Sequence, residues 1–321
     1  MRRALVTGIS GQDGSYLAER LLADGVEVHA LHHPSEARDR PRPAYCPDEV
    51  VLHIGDLTDH KAVGGLVREL APDEIYNLAA VSSVARSWQE PELVEAVNAT
   101  AALALMDAAL RAQQRTGAPV RFVQASSAEI FGQPEQSPQD EQTPVRPVNP
   151  YGAAKARAHA GIAEHRERGL HAVSAILYNH ESPRRPAQFV TRKITSTVAA
   201  IARKRADRLV LGNLEARRDW GWAPDYVDAL VRAARADLAQ DFVVATGVAH
   251  SVRDFVSAAF ARAGVDDWAR YVSVDSDLVR PVDAVELRGD ATLAHDVLGW
   301  TPTVGFTELV ARMVDADLAS S

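Results

Sequence analysis

Thr7-Gly8-Ile9-Ser10-Gly11-Gln12-Asp13-Gly14 follows the apolar run Ala4-Leu5-Val6 and precedes a helical pattern over residues 15–23, with Leu17, Leu21 and Leu22 on one face. A strand that runs into a glycine-rich turn and then a helix can seat a dinucleotide pyrophosphate. The three glycines permit a tight turn and close approach of backbone to phosphate. Many ordinary turns also contain glycine, so the flanking strand and helix are what raise the expectation. Gly8, Gly11, Gln12, Asp13 and Gly14 are the cofactor-binding residues expected from this stretch.

Working outward, strands are predicted over 26–31, 51–54, 74–78, 120–124 and 172–177, with helices over 61–70, 91–113 and 150–168. This alternation predicts an α/β fold, a doubly wound parallel Rossmann sheet with helices on both faces. The later chain is less regular: helices over 188–205 and 226–238, strands over 209–211 and 241–245, then two short helices after Gly247. We expect a dinucleotide-binding domain at 1–177 with a returning segment at 222–246, and a smaller C-terminal α/β substrate lobe at 178–221 and 247–321. Residues 34–47, with four prolines, read as a surface loop.

Composition narrows the function. The 321 residues are 46% hydrophobic with a net charge of −8, enough apolar content for a sizeable core. The acidic balance argues against nucleic acid as the main partner. The single cysteine, Cys46, excludes an internal disulfide framework and a cysteine zinc cluster, and no metal site is expected. The N-terminal apolar run is too short for a signal peptide and no long apolar span is evident, so a cytoplasmic protein without membrane contact is the expectation.

The chemistry concentrates after the predicted fifth strand. Tyr151 and Lys155 stand four apart in Asn149-Pro150-Tyr151-Gly152-Ala153-Ala154-Lys155, on one helical face. An ammonium beside a phenol favours the phenolate, so a lowered tyrosine pKa is expected there, suited to taking a proton while hydride leaves for nicotinamide. A half-buried tyrosine on an amphipathic helix would give the same spacing; the preceding Rossmann pattern favours the catalytic reading. Ser127 and Glu129 follow the fifth strand, at the sheet edge that faces ligands. Ser127 is positioned to bond a reacting hydroxyl. Glu129 reads either as a base or as a carboxylate complementing a helix dipole. Asp56, in Gly55-Asp56-Leu57, suits an adenine contact or a solvated turn. His32, His33 and Pro34 close the second strand, and neither an acid for NAD nor an arginine for NADP stands there.

The chain resembles the GDP-mannose 4,6-dehydratases, members of the extended short-chain dehydrogenase/reductase superfamily, over nearly its whole length. Matching stretches include Gly8 to Leu17, Asn77-Leu78-Ala79-Ala80, Ser126 to Gly132, Asn179-His180-Glu181-Ser182-Pro183-Arg184-Arg185 and Arg218-Asp219-Trp220-Gly221. The resemblance implies a GDP-linked sugar as substrate and NAD(P) as cofactor, with NADP favoured. It implies Ser127 at the position of the family's catalytic threonine, Glu129 as base, and Tyr151 and Lys155 as redox pair. It further implies that His33, Asp56, Leu57, Leu78, Ala79, Ala80, Ser82, His180 and Arg185 hold cofactor. Ser82, Asn179, Val190, Lys193, Arg218 and Arg280 would line the substrate, beside Ser127 and Glu129.

Three departures from the family pattern stand out. Ala128 replaces a polar residue beside the base and can donate no proton, leaving both acid and base work to Glu129. His33 and Pro34 stand where arginines read the NADP phosphate and brace a tetramer, which makes a homodimer the expectation, through the helix after Pro91 and the Tyr151 helix. Val285 replaces an acidic residue near Arg280. A GDP-sugar 4-epimerase needs Tyr151, Lys155 and Ser127 but no acid at C6, so Ala128 keeps that alternative open. A non-catalytic dinucleotide-binding scaffold would have no use for Tyr151 and Lys155.

Overall fold

A computed structural model describes residues 2–278, 282 and 284–320. The first strand, β1 (Arg3–Thr7), leads through the glycine turn into α1 (Gln12–Ala23), then β2 (Glu27–His32), α2 (Pro34–Asp39), β3 (Val51–Ile54), α3 (His60–Leu70) and β4 (Glu74–Asn77). Two short helices, α4 (Val84–Gln89) and α5 (Pro91–Glu95), enter α6 (Ala101–Thr116) through a π-helical turn at Ala96–Thr100. Next come β5 (Arg121–Ala125), a 3-10 turn at Ala128–Phe131, α7 (Pro150–Glu167) and β6 (His171–Leu177).

Seven parallel strands form the main sheet in the order β10-β6-β5-β4-β1-β2-β3, the doubly wound order extended by one strand. The added strand is β10 (Phe242–Val244), which follows α9 (Ala223–Arg235) and pairs with β6. Apolar residues of α1 and α9, among them Leu17, Leu21 and Leu230, cover one face. The α3, α6 and α7 helices cover the other through Val67, Leu105 and Ile162. Both faces are buried, which is why these strands read as continuous apolar runs.

A smaller sheet centres on β9 (Arg217–Trp222), flanked by β7 (Asn179–Glu181), β11 (Ala249–Ser251) and β13 (Glu286–Leu287). A separate pair joins β8 (Leu209–Leu211) to β12 (Val272–Val274). Helices α8 (Val190–Ala202), α10 (Val252–Arg262) and α12 (Phe306–Ser320) pack around Ile194, Trp220, Phe255, Phe260 and Met313. A capping box between Ser251 and Asp254 starts α10.

Several expectations need correction. Helix α1 starts at Gln12 rather than at 15, because Gly11 serves as N-cap and the last glycine of the turn lies inside the helix. The 34–47 segment contains α2, whose first turn Pro34 pre-sets and His33 caps. After Gly247 there are three α-helices among the described residues, α10, α11 (Thr292–Leu298) and α12, rather than two. An apolar span long enough to cross a membrane by length and composition also exists, at Pro91–Thr116; 56% of its most apolar 18-residue stretch is buried inside the protein, as in a core helix.

Candidate active site

The carboxyl ends of the parallel strands share one edge, where open doubly wound sheets bind ligands. The glycine turn lies there after β1. Gly8 has φ +78°, and a Cβ on it would lie 2.8 Å from the backbone nitrogen of Ala79. A Cβ on Gly14 would press into the carbonyl oxygen of Gly8. No side chain caps the N-terminus of α1. The tight, side-chain-free turn and uncapped helix start fit a dinucleotide pyrophosphate. Thr7 Oγ1 accepts from the backbone N–H groups of Leu78 and Ala79, each at 3.1 Å, locking the end of β4 beside this turn. Leu78, Ala79 and Ala80 are half-buried there, and Ser82 beyond them is exposed.

Gln12 and Asp13 turn their side chains toward the start of the smaller sheet. Gln12 Nε2 donates to the His180 carbonyl at 3.1 Å, and Ser182 Oγ donates to Gln12 Oε1 at 2.7 Å. Asp13 Oδ2 lies 2.9 Å from His180 Nε2, while His180 Nδ1 is held at 2.7 Å by the Tyr178 carbonyl. Burial raises the Asp13 carboxyl, but the charge and hydrogen bond of His180 outweigh it and set the pKa at about 2. Burial disfavours charge on His180 in turn, and Asp13 overcomes that, raising the imidazole. The His180 ring stacks on Tyr226 at 4.6 Å. Arg185 pairs with Glu181 at 3.2 Å and lies over the Phe189 ring at 3.8 Å.

At the far end of the expected cofactor path, His33 Nε2 is 3.5 Å from Asp56 Oδ2. Thr58 donates twice to Asp56 Oδ1, through its backbone at 2.8 Å and its hydroxyl at 2.7 Å, and these bonds help lower the Asp56 carboxyl. Leu57 is buried next to it.

Helix α7 lies over the end of β5. Lys155 Nζ donates to the Ala125 carbonyl at 2.7 Å and sits 5.8 Å from the centre of the Tyr151 ring. Both side chains are buried. The expected lowering of the phenol does not occur in the protein alone: burial pushes Tyr151 up to about 12, against hydrogen bonding by Ser127, with the Glu129 charge adding to the rise. Burial likewise brings the Lys155 ammonium down to about 8. The spacing correctly places both groups on one face, but the ammonium is anchored to the strand end and desolvation governs the phenol.

Ser127 caps the 3-10 turn, accepting from the Glu129 N–H at 3.2 Å. Glu129 Oε2 accepts from Asn149 Nδ2 at 2.8 Å. Ala128, between them, is 3% exposed and packed in the main core. Asn149 was legible only as the residue before Pro150 at a helix start; its bond to Glu129 spans 20 positions and leaves no local signal.

The expected substrate residues cluster around the smaller sheet. Asn179 opens β7 opposite Trp220. Val190 and Lys193 lie at the start of α8, which Thr191 ties to Glu181 at 2.6 Å. Arg218 is 6% exposed, with Nη1 donating to the carbonyls of Arg217 and Ala284. Arg280 lies outside the described residues. Val285 is 81% exposed. A separate cleft of about 410 Å3, lined by Thr246, Arg288, His295 and Trp300 among others, contains none of the expected site residues.

The fold and this constellation define an NAD(P)-dependent nucleotide-sugar-modifying enzyme of the extended short-chain dehydrogenase/reductase type. A family described as GDP-mannose 4,6 dehydratase matches residues 5–313. GDP-mannose 4,6 dehydratase 2 of Arabidopsis thaliana is 44% identical, over 98% of this chain and 86% of its own. The Homo sapiens GDP-mannose 4,6 dehydratase is 42% identical, over 98% and 91%. Among solved structures, a Thermus thermophilus UDP-glucose 4-epimerase in complex with NAD aligns with a TM-score of 0.84 at 28% identity, over 98% of both chains. The chain belongs to the GDP-mannose 4,6-dehydratase family.

Proposed function

We propose that this chain converts GDP-mannose to its 4-keto-6-deoxy derivative, with Tyr151, Lys155, Ser127 and Glu129 as its catalytic residues. The observation that carries the reading is Glu129 beside the Ser127–Tyr151–Lys155 cluster, bound by Asn149 at 2.8 Å, in a member of the dehydratase family. Moving a C4 hydride off and back, as an epimerase does, has no use for a carboxylate there.

Gly8, Gly11, Gly14 and the start of α1 would hold the pyrophosphate, and His33 and Asp56 the adenosine end. Bound NAD(P) would supply the hydride acceptor for C4 and the hydride donor for C6, with no net consumption. Tyr151 takes the C4 hydroxyl proton as its phenolate, a form that the Lys155 ammonium and the positive charge of bound NAD(P)+ would favour, while Ser127 bonds the same oxygen. The C4 ketone acidifies C5, and Glu129 removes the C5 proton. Because Ala128 has no proton to give, Glu129 passes that proton to the C6 hydroxyl, which departs as water. The proton taken by Tyr151 balances the one that C5 regains when C6 is reduced. The product is the substrate less one water.

Paired variants test the assignments. Tyr151→Phe is expected to lower turnover about 10^2- to 10^4-fold with dinucleotide affinity retained. Glu129→Gln is expected to oxidise C4 slowly, with reduced nicotinamide accumulating, and to release no dehydrated sugar. Full turnover in the first, or undiminished dehydration in the second, removes the corresponding residue from the mechanism.

We also place the enzyme in the cytoplasm as a homodimer, with no nucleic-acid or membrane partner. The lone free thiol of Cys46 and the exposed apolar side chains of Trp88 on α4 and Leu93 on α5, 42% and 39% accessible, support this reading.

A further inference from the structure

Helix α7 needs an acceptor at its start, and Asn149 provides one: its Oδ1 accepts from the Gly152 N–H at 2.8 Å. Serine and aspartate cap helices about as well as asparagine, so the cap alone does not call for an amide. The amide's other end is also used. Asn149 Nδ2 donates to Glu129 Oε2 at 2.8 Å, and the residue is 5% exposed. The orientation of the amide is fixed by chemistry. The Gly152 N–H can only donate and a carboxylate can only accept, so oxygen faces the helix and nitrogen faces Glu129.

We propose that Asn149 is a positioning residue that sets the carboxylate of Glu129 relative to Tyr151. This rests on the reading of Glu129 as the base of the elimination. Tyr151 lies two residues along the helix that Asn149 caps. One side chain therefore fixes both the helix that carries the redox tyrosine and the carboxylate that works on the neighbouring carbon. A donor held on Oε2 sets the carboxylate plane, and so the line along which its other oxygen meets a proton. That geometry matters more in this chain than where two groups share the work, because Ala128 leaves Glu129 to take a proton and give it.

The experiment compares Asn149→Ser and Asn149→Asp with the unmodified protein. Both variants retain a cap oxygen; the melting temperature of Asn149→Ser should stay close to that of the parent, while Asn149→Asp, with two carboxylates in contact, should melt lower at neutral pH. Neither variant holds the amide N–H on Glu129. Dehydration of GDP-mannose should fall about ten- to hundred-fold, with KM and dinucleotide affinity within about twofold. The acid limb of the kcat profile should move to higher pH, further in Asn149→Asp, which sets a second carboxylate beside the first. Unchanged kcat and an unchanged acid limb in both variants would overturn the proposal.

A second measurement covers loss of folding in the variants. In the parent protein, the side-chain amide proton signals of Asn149 should shift across the carboxylate titration range, and that response should vanish in Glu129→Gln. A signal indifferent to both overturns the contact. The same signal separates the two ideas: if GDP-mannose stays intact while the amide follows Glu129, the substrate reading fails and the Asn149 contact stands.

Discussion

Asp13 and His180 place opposite charges in the wall of the dinucleotide turn, 2.9 Å apart and largely out of water. Burial opposes the Asp13 charge, yet its carboxyl is held at about 2 against an ordinary 3.8. A carboxyl lowered by folding stabilises the native state above its ordinary pKa, and that share is lost as pH falls through the lowered value. The shift corresponds to about 2 kcal/mol. Asp13→Asn should therefore cost about that much at neutral pH, with the two unfolding curves converging as pH falls from about 4 toward 2. Thermal melts across that range check this; parallel curves down to the lowest pH contradict the pairing. His180, raised by the same partner, makes its contribution below its ordinary pKa and loses it as pH rises through the raised value. Tyr151 and Lys155 were legible from a spacing of four, because helical geometry is local. Their ionisation was not, since desolvation depends on what α7 lies against. The sequence likewise carries no mark of the Asn149–Glu129 bond.

At the level of elements, the glycine turn couples β1, α1 and the end of β4. Gly14→Ala should push its Cβ into the Gly8 carbonyl and force the turn open. We expect dinucleotide affinity to fall at least about tenfold, together with a drop in melting temperature. Calorimetric titration with NAD and NADP reads the affinity, and an unchanged dissociation constant for both would show that the turn does not hold the pyrophosphate. The main-sheet strands were legible because both faces are covered and their apolar runs are unbroken. The smaller sheet was not. Its central strand β9 carries Arg217, Arg218 and Asp219, charges that interrupt any strand pattern. Asp219 is fully buried and is satisfied by the backbone of Thr246 and Gly247 and by the Thr246 hydroxyl. These partners come from a distant loop, so folding alone reveals why a carboxylate can sit in that strand. Strand β13 has two residues, too few for periodicity.

Across the whole molecule, a chain of net charge −8 is proposed to handle an anionic cofactor and an anionic substrate. We propose that local donors resolve the conflict: the uncapped start of α1, Lys193, and Arg185, which also pairs with Glu181, would count more than the overall balance. The homodimer reading predicts twice the chain mass in light scattering, and a lower mass for a variant with Trp88 and Leu93 both changed to glutamate. A parent protein at the single-chain mass contradicts it. In the proposed chemistry, an alanine beside the base, packed into the core, leaves one glutamate to complete a water elimination. Mass spectrometry of GDP-mannose incubated with the purified protein and NADP+ or NAD+ tests this most directly. The expected product is a sugar nucleotide lighter by one water, with no net reduction of cofactor. An unchanged mass with an altered sugar NMR spectrum would establish epimerisation instead, and contradict the dehydratase assignment.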